Sequence, residues 1–171
     1  GDTSFERLRS AFSAIPSLYD VINRYGGRLH LMVEIKKEPY PDEKRQQAIL
    51  RSAFSGLAPM KDFHFLSLAP EMFRVVPFVS KAACLPVGGL NVGVLSRLSL
   101  EEGCGGILGH FYLVSNRRIR IHQNAGQQVG TGYAASENCL RREINRGVTW
   151  IFTEKAGKVG NARKRLLPGS G

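Results

Sequence analysis

Cysteine, tryptophan and long apolar runs are scarce in this sequence. Its 171 residues include three cysteines and one tryptophan, and no apolar run approaches the roughly 18 residues that a membrane-spanning helix needs. The cysteines are widely spaced and form no C-x-x-C pair, which argues against a zinc ribbon, a thioredoxin-like redox site and a disulfide framework. We therefore expect buried thiols at Cys84, Cys104 and Cys139.

The N-terminal residues also lack an export signal. Residues 1–9 carry charged and polar side chains where a signal peptide needs an apolar run. Together with the unpaired cysteines, this favours a reducing compartment, and we predict a cytoplasmic location. Because Gly1 is not a methionine, we also expect the start of the protein to lie upstream.

What the sequence does have is enough apolar residues for a core and a large excess of positive charge. The hydrophobic fraction of 43% excludes a disordered chain, and we expect residues 1–171 to form a single domain. The net charge is +10, and residues 112–171 hold 11 Lys plus Arg against 3 Asp plus Glu. This basicity indicates either solvated outer helix faces or a surface for polyanions or anionic membrane. No zinc knuckle or aromatic RNA-binding motif accompanies it, so we expect no specific nucleic-acid partner.

Short β-rich runs alternate with amphipathic stretches between Gly and Pro residues. This alternation predicts parallel strands with right-handed crossovers, as in a doubly wound sheet or a (β/α) barrel. The third predicted strand is the least distinct, and the Gly-rich segment after it is expected to be a turn. We count six strands, whereas a complete barrel has eight and typically needs about 250 residues. The predicted strands are 29–36, 63–68, 78–85, 106–113, 127–133 and 148–153.

The first predicted strand places an acid and a base at its carboxyl end. Leu29, Leu31, Val33 and Ile35 would share one face, and His30, Met32, Glu34 and Lys36 the other. Active sites of α/β barrels lie at this end of the strands. A carboxylate can bind a divalent cation and an ammonium can neutralise a phosphate. An ion pair at a solvated strand end is the alternative interpretation.

Four segments resemble successive landmarks of the glycerophosphodiester phosphodiesterase family, in the same order and with similar spacing. The resemblance covers nearly all of the chain and implies an incomplete TIM (β/α)8-type barrel with about six β/α units, lacking the first two strands. It implies a phosphoric diester hydrolase of lipid and glycerol metabolism, which cleaves glycerophosphodiesters to an alcohol and glycerol 3-phosphate with Mg2+ or Ca2+. The segments are Ile15–Ile22, Val33–Lys36, Leu66–Glu71 and Gly147–Glu154.

Carried over by position, the resemblance implies roles for four residues. Glu34 would be a metal ligand, and Lys36 would contact the substrate phosphate. Ser67 and Tyr133 would line the pocket from the ends of their strands. The family's histidine-arginine-glycine motif, its acidic pair and its second catalytic histidine do not occur before Glu34. We therefore identify no catalytic residue in this chain and expect the histidine pair upstream, because these two histidines act as general acid and base.

The histidines in this chain are not obvious replacements. His64 lies within a predicted strand and is expected to be a core residue, whereas His122 follows two arginines on a basic helix and is expected to be exposed. His110 lies near the end of a strand, and we predict that it binds substrate. The Gly-rich segment 87–93 lacks the lysine of a P-loop, so we expect a turn that helps to shape the mouth of the site.

Three hypotheses remain at this point. The first is a hydrolase of the glycerophosphodiester type. The second is a catalytically inactive barrel relative that binds polyanions or anionic membrane through its basic C-terminal third. The third is a half-barrel of six strands that is stable on its own, either open or paired, with its edges covered by a second chain or segment, which allows a dimer.

Overall fold

One sheet of six parallel strands organises the part of the chain that the structure describes. The structure is a computed structural model that describes residues 5–167. Residues 1–4, the first part of the segment searched for an export signal, lie outside the described residues. The strands follow one another in the sheet in chain order. They are β1 (Leu31–Glu34), β2 (Phe63–Ser67), β3 (Cys84–Gly88), β4 (Gly106–His110), β5 (Gln128–Gly132) and β6 (Trp150–Phe152).

Helices connect the strands, as parallel pairing requires. Ser17, Ser115 and Ser136 cap three of them, each accepting a hydrogen bond from a backbone N–H of the first turn. Two 3₁₀ segments, Pro70–Val75 and Lys81–Ala83, replace a helix between β2 and β3. The helices are α1 (Phe5–Ala11), α2 (Leu18–Tyr25), α3 (Glu43–Ala53), α4 (Val92–Glu102), α5 (Asn116–Asn124), α6 (Glu137–Asn145) and α7 (Ala156–Leu166).

The sheet is curled as part of a TIM-type barrel, which confirms the predicted fold class with six β/α units. Its inner face carries an apolar cluster that includes Met32, Leu66, Leu108 and Phe152. The ring of His30, just before β1, lies against that of Trp150 in β6, with 4.6 Å between the ring centroids. β1 and β6 do not pair, so this contact near the amino ends of the strands is made by side chains across the inside of the curled sheet.

The outer face of the sheet packs against the helices in separate clusters. Ile35 is buried there, with Leu31 and Val33 packed beside it. The predicted division of β1 into an outer and an inner face is therefore confirmed, since Met32 belongs to the inner cluster. Within residues 5–167, no helix combines the length and apolarity needed to cross a lipid bilayer.

The prediction for the third strand was wrong in its position. Residues 78–80 do not pair; Phe78 packs edge-on against Phe65, with 6.0 Å between the ring centroids. The apolar residues that suggested a strand are thus satisfied by packing, and the strand itself is β3, Cys84–Gly88. β3 ends at Gly88. Glycine is needed there because a Cβ would lie 2.7 Å from the Cα of Val92.

His122 is buried, which corrects the expectation of an exposed side chain. Helical periodicity places it on the inward face of α5 with Ile119, although arginines flank it in sequence. Its Nδ1 lies 2.6 Å from Oε1 of Gln127, and its Nε2 lies 2.8 Å from Oγ of Ser96. Since the Gln127 oxygen can only accept, Nδ1 carries the proton and Nε2 accepts from the serine hydroxyl. The neutral ring is therefore fully hydrogen-bonded.

A buried ionic network joins β5, α6 and the loop after β4. Glu143 is fully buried and accepts hydrogen bonds from Oγ1 of Thr131 at 2.9 Å and from Arg146 at 2.8 Å. Arg146 also donates to the backbone oxygens of Phe111 and Val114. One carboxylate and one guanidinium thus hold in place the loop that follows β4.

A second buried polar group is the pair of His30 and His64, on the inner face near the amino ends of β1 and β2. Nδ1 of His30 lies 2.8 Å from the backbone oxygen of Lys61 and must donate, so its Nε2 accepts from Nδ1 of His64 at 2.8 Å. His64 is 1% exposed, as expected for a core histidine. Burial, and secondarily the charge of His30, lowers the pKa of His64 to about 4.

We expect acid to destabilise the fold through His64. Its pKa is about 4 when folded and about 6.5 when unfolded, so between these values the unfolded state binds more protons. The contribution is complete above pH 6.5 and is lost as the pH falls towards 4, at a cost of up to about 3 kcal/mol. Burial lowers the pKa of His122 as well, so protonation of His122 in acid also lowers the free energy of unfolding. Urea unfolding at pH 7 and pH 5 measures the difference, and His64→Gln should reduce it; equal pH sensitivity in the variant would contradict this assignment.

Candidate functional site

A cavity of about 560 Å³ opens at the carboxyl ends of the strands. All six strands contribute to it. β1 and β2 do so through residues two positions apart, which alternation places on the same inner face, and the other four through consecutive residues at their carboxyl ends. Its walls are mostly apolar, with Glu34, Lys36, His110, Tyr133 and Glu154 as the ionisable groups. The lining residues are Glu34, Lys36, Leu66, Leu68, Val87–Gly89, Leu108–His110, Gly132, Tyr133 and Phe152–Glu154.

Glu34 and Lys36 face this cavity from the end of β1. Nζ of Lys36 lies 2.7 Å from Oε1 of Glu34, and both side chains remain partly exposed. The structure thus brings together the acid and the base singled out in the sequence, and it also contains the ion pair that was the alternative interpretation. Because the Lys36 side chain is 61% exposed and lines the cavity, its ammonium is accessible to an anion that enters there.

His110 lines the cavity from the end of β4 among aromatic rings. Its ring lies nearly parallel to that of Tyr112, with 5.5 Å between the centroids, and 5.7 Å from that of Tyr133. Nδ1 of His110 accepts a hydrogen bond from the backbone N–H of Tyr112 at 3.3 Å, so in the neutral ring the proton is on Nε2. An Nε2–H group in the cavity wall can donate to an oxygen of a bound molecule.

Tyr133, at the end of β5, also lines the cavity. Ser67 does not. Ser67 is fully buried and donates to the backbone oxygen of Ile35 at 2.8 Å, while the N–H of Ala69 donates to its Oγ at 3.1 Å. It therefore fastens the turn after β2 to the strand beside it, whereas Leu66 and Leu68 on either side of it face the cavity.

Sequence reasoning proposed no site role for Glu154 or for the apolar wall. Glu154 follows β6, which is the edge strand opposite β1. Its carboxylate adds a second acidic group to the lining. The apolar lining could have been found from the alternation of each strand once its inner face was known. Gly88 and Gly89 line the wall, as expected for the Gly-rich segment. The expected turn is shorter than 87–93, because Val87 and Gly88 end β3 and Val92 begins α4.

The acidic side chains do not make a metal site by themselves. Among residues 5–167, no group of three or more His, Cys, Asp and Glu side chains is placed to hold a metal ion. Glu34, the predicted metal ligand, already has Lys36 as its partner. Hard divalent cations take six or more oxygen ligands, so the described residues do not fit a complete Mg2+ or Ca2+ site.

Comparison with known proteins gives a fold and no close relative. No protein-family model matches the sequence, and no curated protein does. Solved structures are similar to it throughout most of its length. A glycerophosphodiester phosphodiesterase from Parabacteroides distasonis has a TM-score of 0.65 at 15% identity over 89% of this chain and 66% of its own. One from Agrobacterium tumefaciens has a TM-score of 0.60 at 17% identity over 82% and 58%.

A third similar structure contains a bound molecule. It is a phosphodiesterase from Oleispira antarctica in complex with its product sn-glycerol-3-phosphate, with a TM-score of 0.63 and 18% identity over 86% of this chain and 61% of its own. The present chain therefore spans less than two thirds of each of these three structures. At such low identity, what they share with it is the arrangement of strands and helices.

Proposed function

We propose that this chain is part of a phosphoric diester hydrolase of the glycerophosphodiester phosphodiesterase family, which releases glycerol 3-phosphate and an alcohol. The observation that carries the proposal is the Glu34–Lys36 pair in a cavity at the carboxyl ends of the strands. Barrel enzymes have their active sites at this end, and the fold is that of solved enzymes with this activity. A place in lipid and glycerol metabolism follows from the substrate.

The residues of this chain would bind and orient the diester. The Lys36 ammonium would neutralise a phosphate oxygen, and Nε2–H of His110 would donate to another oxygen of the substrate. The apolar wall would exclude water from the carbon-bearing side, which strengthens the charge interactions at the phosphate. His110 is the one histidine that lines the cavity within residues 5–167, so the proposed acid–base pair would lie outside the described residues.

The proposed cofactor is a divalent cation, Mg2+ or Ca2+. Glu34 would supply one carboxylate to it, and further ligands would have to come from groups outside the described residues. When bound, such an ion offers charge stabilisation at a phosphoryl oxygen. If the Lys36 ammonium paired with the substrate phosphate instead of Glu34, the Glu34 carboxylate would be free to bind the cation.

Binding of sn-glycerol 3-phosphate to the full-length protein tests the role of Lys36. Calorimetric titration should show saturable binding, and Lys36→Met should weaken it by about 10-fold or more, because a charge-assisted hydrogen bond is worth about 1.5–3 kcal/mol. Lys37→Met is the matched control, since Lys37 pairs with Glu71 and does not line the cavity. Equal affinity in the wild type and Lys36→Met would show that Lys36 does not bind the phosphate.

The second candidate function is the inactive relative that binds polyanions or anionic membrane. It is favoured by Lys158, Arg163 and Lys164, which are exposed on α7 and form no ion pair with any other described residue. Binding to anionic vesicles that is lost as salt is raised, in a protein that releases no glycerol 3-phosphate, would support it.

A further inference from the structure

Four exposed apolar side chains surround the mouth of the cavity. Each follows the end of a different strand: Leu68 after β2, Leu90 after β3, Tyr112 after β4 and Tyr133 after β5. Their exposed fractions are 59%, 95%, 78% and 59%. Because parallel strands end at the same edge of a sheet, all four lie at the same end of the barrel. We call these four residues the apolar rim.

The loops that carry the apolar rim contain no charge. Residues 68–70, 89–91, 111–115 and 133–136 include no Asp, Glu, Lys or Arg, in a chain of net charge +10. Charged side chains follow three of these loops within two residues, at Glu71, Arg117 and Glu137. Both carboxylates are paired, Glu71 with Lys37 and Glu137 with Arg141 and Arg165. Exposed loops are ordinarily polar, and contiguous apolar tips at one end of a molecule mark an interaction surface.

The rim is held open by contacts below it. The Arg142 guanidinium lies 4.3 Å from the ring centroid of Phe111, and Arg146 donates to the backbone oxygens of Phe111 and Val114. Tyr112 lies between these anchored residues, and one side of its ring packs on the rings of His110 and Phe111, while most of the side chain stays exposed. At the neighbouring loop, Oδ1 of Asn91 accepts from the N–H of Gly89 at 3.1 Å and supports the turn that exposes Leu90.

The apolar rim does not lie at the unpaired edges of the sheet. β1 and β6 are the edge strands, and the rim belongs to the four strands between them. A segment that paired with both edges would lie on the other side of the mouth. Residues that extended the sheet would therefore pair with β1 or β6, and not with the strands that carry the apolar rim.

We propose that the apolar rim docks the mouth of the cavity on a lipid surface, so that the diester is taken from a lipid layer. Leucine side chains partition into the acyl region, and tyrosine is favoured at the boundary with the headgroups. Arg117 and Arg118, in the first turn of α5, would then lie at the level of the lipid phosphates. Charge and apolar pattern thus both fit a phospholipid surface.

The cavity wall indicates the class of diester, and this step rests on the proposed function. Leu68 and Tyr133 belong both to the rim and to the lining, and below them Leu66, Leu108 and Phe152 continue an apolar surface inward. This continuous apolar path fits a phosphodiester whose glycerol carries an acyl chain, with the chain leaving the cavity across the rim into the lipid.

Flotation of the full-length protein with phosphatidylcholine vesicles tests the docking. The variant Leu90→Asp/Tyr112→Asp should bind at least about 10-fold more weakly, because each substitution removes an apolar group worth more than about 1 kcal/mol on burial. The matched control is Leu29→Asp, at the opposite end of β1 and 57% exposed, which should bind as the wild type does. Leu90→Ser/Tyr112→Ser repeats the test if the aspartates impair folding, as judged by urea unfolding.

Three results would overturn the proposal. The first is absence of vesicle binding, which would assign the rim to contact with another protein or with another part of this one. The second is equal binding by the rim variant. The third is binding that needs phosphatidylserine and is abolished by Lys158→Glu/Lys164→Glu, which would assign docking to the basic surface instead. None of these assays requires turnover, so a failure of docking is distinct from a failure of the proposed hydrolase.

Discussion

Glu34→Gln should reduce kcat/KM of the full-length protein for a glycerophosphodiester by at least about 100-fold. Groups that merely support metal ligands cost about 10- to 100-fold when removed, and Glu34 is proposed to bind the cation directly. The substitution keeps the size of the side chain and removes the charge that faces the cavity from β1. Turnover measured over a series of cation concentrations provides the readout.

Two controls separate the possible roles of Glu34. Glu38→Gln removes an exposed carboxylate from the same segment and should leave turnover unchanged. If Glu34 acted only by holding Lys36, 2.7 Å away, Glu34→Gln would raise KM and leave the cation requirement as it is. A higher cation requirement in the variant is the expected result, and an unaltered one would exclude Glu34 as a ligand.

Glu143→Gln should lower the free energy of unfolding by about 3–5 kcal/mol, the cost of breaking a buried ion pair. The carboxylate is fully buried and serves Thr131, Arg142 and Arg146 together. Its loss leaves the Arg146 guanidinium, whose side chain is 13% exposed, without a counter-charge. Urea unfolding at pH 7 measures the change.

Glu137→Gln is the matched control on the same helix. Glu137 is partly exposed and pairs with Arg141 and Arg165, and exposed pairs are worth at most about 1 kcal/mol. The double variant Glu143→Met/Arg146→Met should be less destabilised than Glu143→Gln, since it buries no unpaired charge. A loss below about 1 kcal/mol in Glu143→Gln would contradict the structural role of this network.

The sequence correctly predicted those features that depend on a single strand or turn. Alternation along β1 correctly placed Glu34 and Lys36 on the inner face, and the Gly and Pro residues between apolar runs located five of the six strands. The third strand was misplaced because Phe78 satisfies its apolar character by packing on Phe65 rather than by pairing. Such packing depends on a residue distant in sequence.

Three features that sequence reasoning missed depend on contacts between separate segments of the chain. Ser67 fastens a turn through the backbone of Ile35, and His122 is buried because Ser96 and Gln127 both bind it. The carboxylate of Glu143 is stabilised inside the fold by Arg146 and by Thr131, which lies in β5. For Glu143 and Arg146, spacing on a helix could suggest a pair but not its burial.

Release of glycerol 3-phosphate is the measurement that tests the central claim most directly. The full-length protein would be incubated with a glycerophosphodiester in the presence of Mg2+ or Ca2+, and again after chelation, with the phosphate product identified by mass. The account predicts glycerol 3-phosphate and a free alcohol with the cation and neither product without it. Failure of the intact, folded protein to release glycerol 3-phosphate from any glycerophosphodiester in the presence of the cation would contradict it.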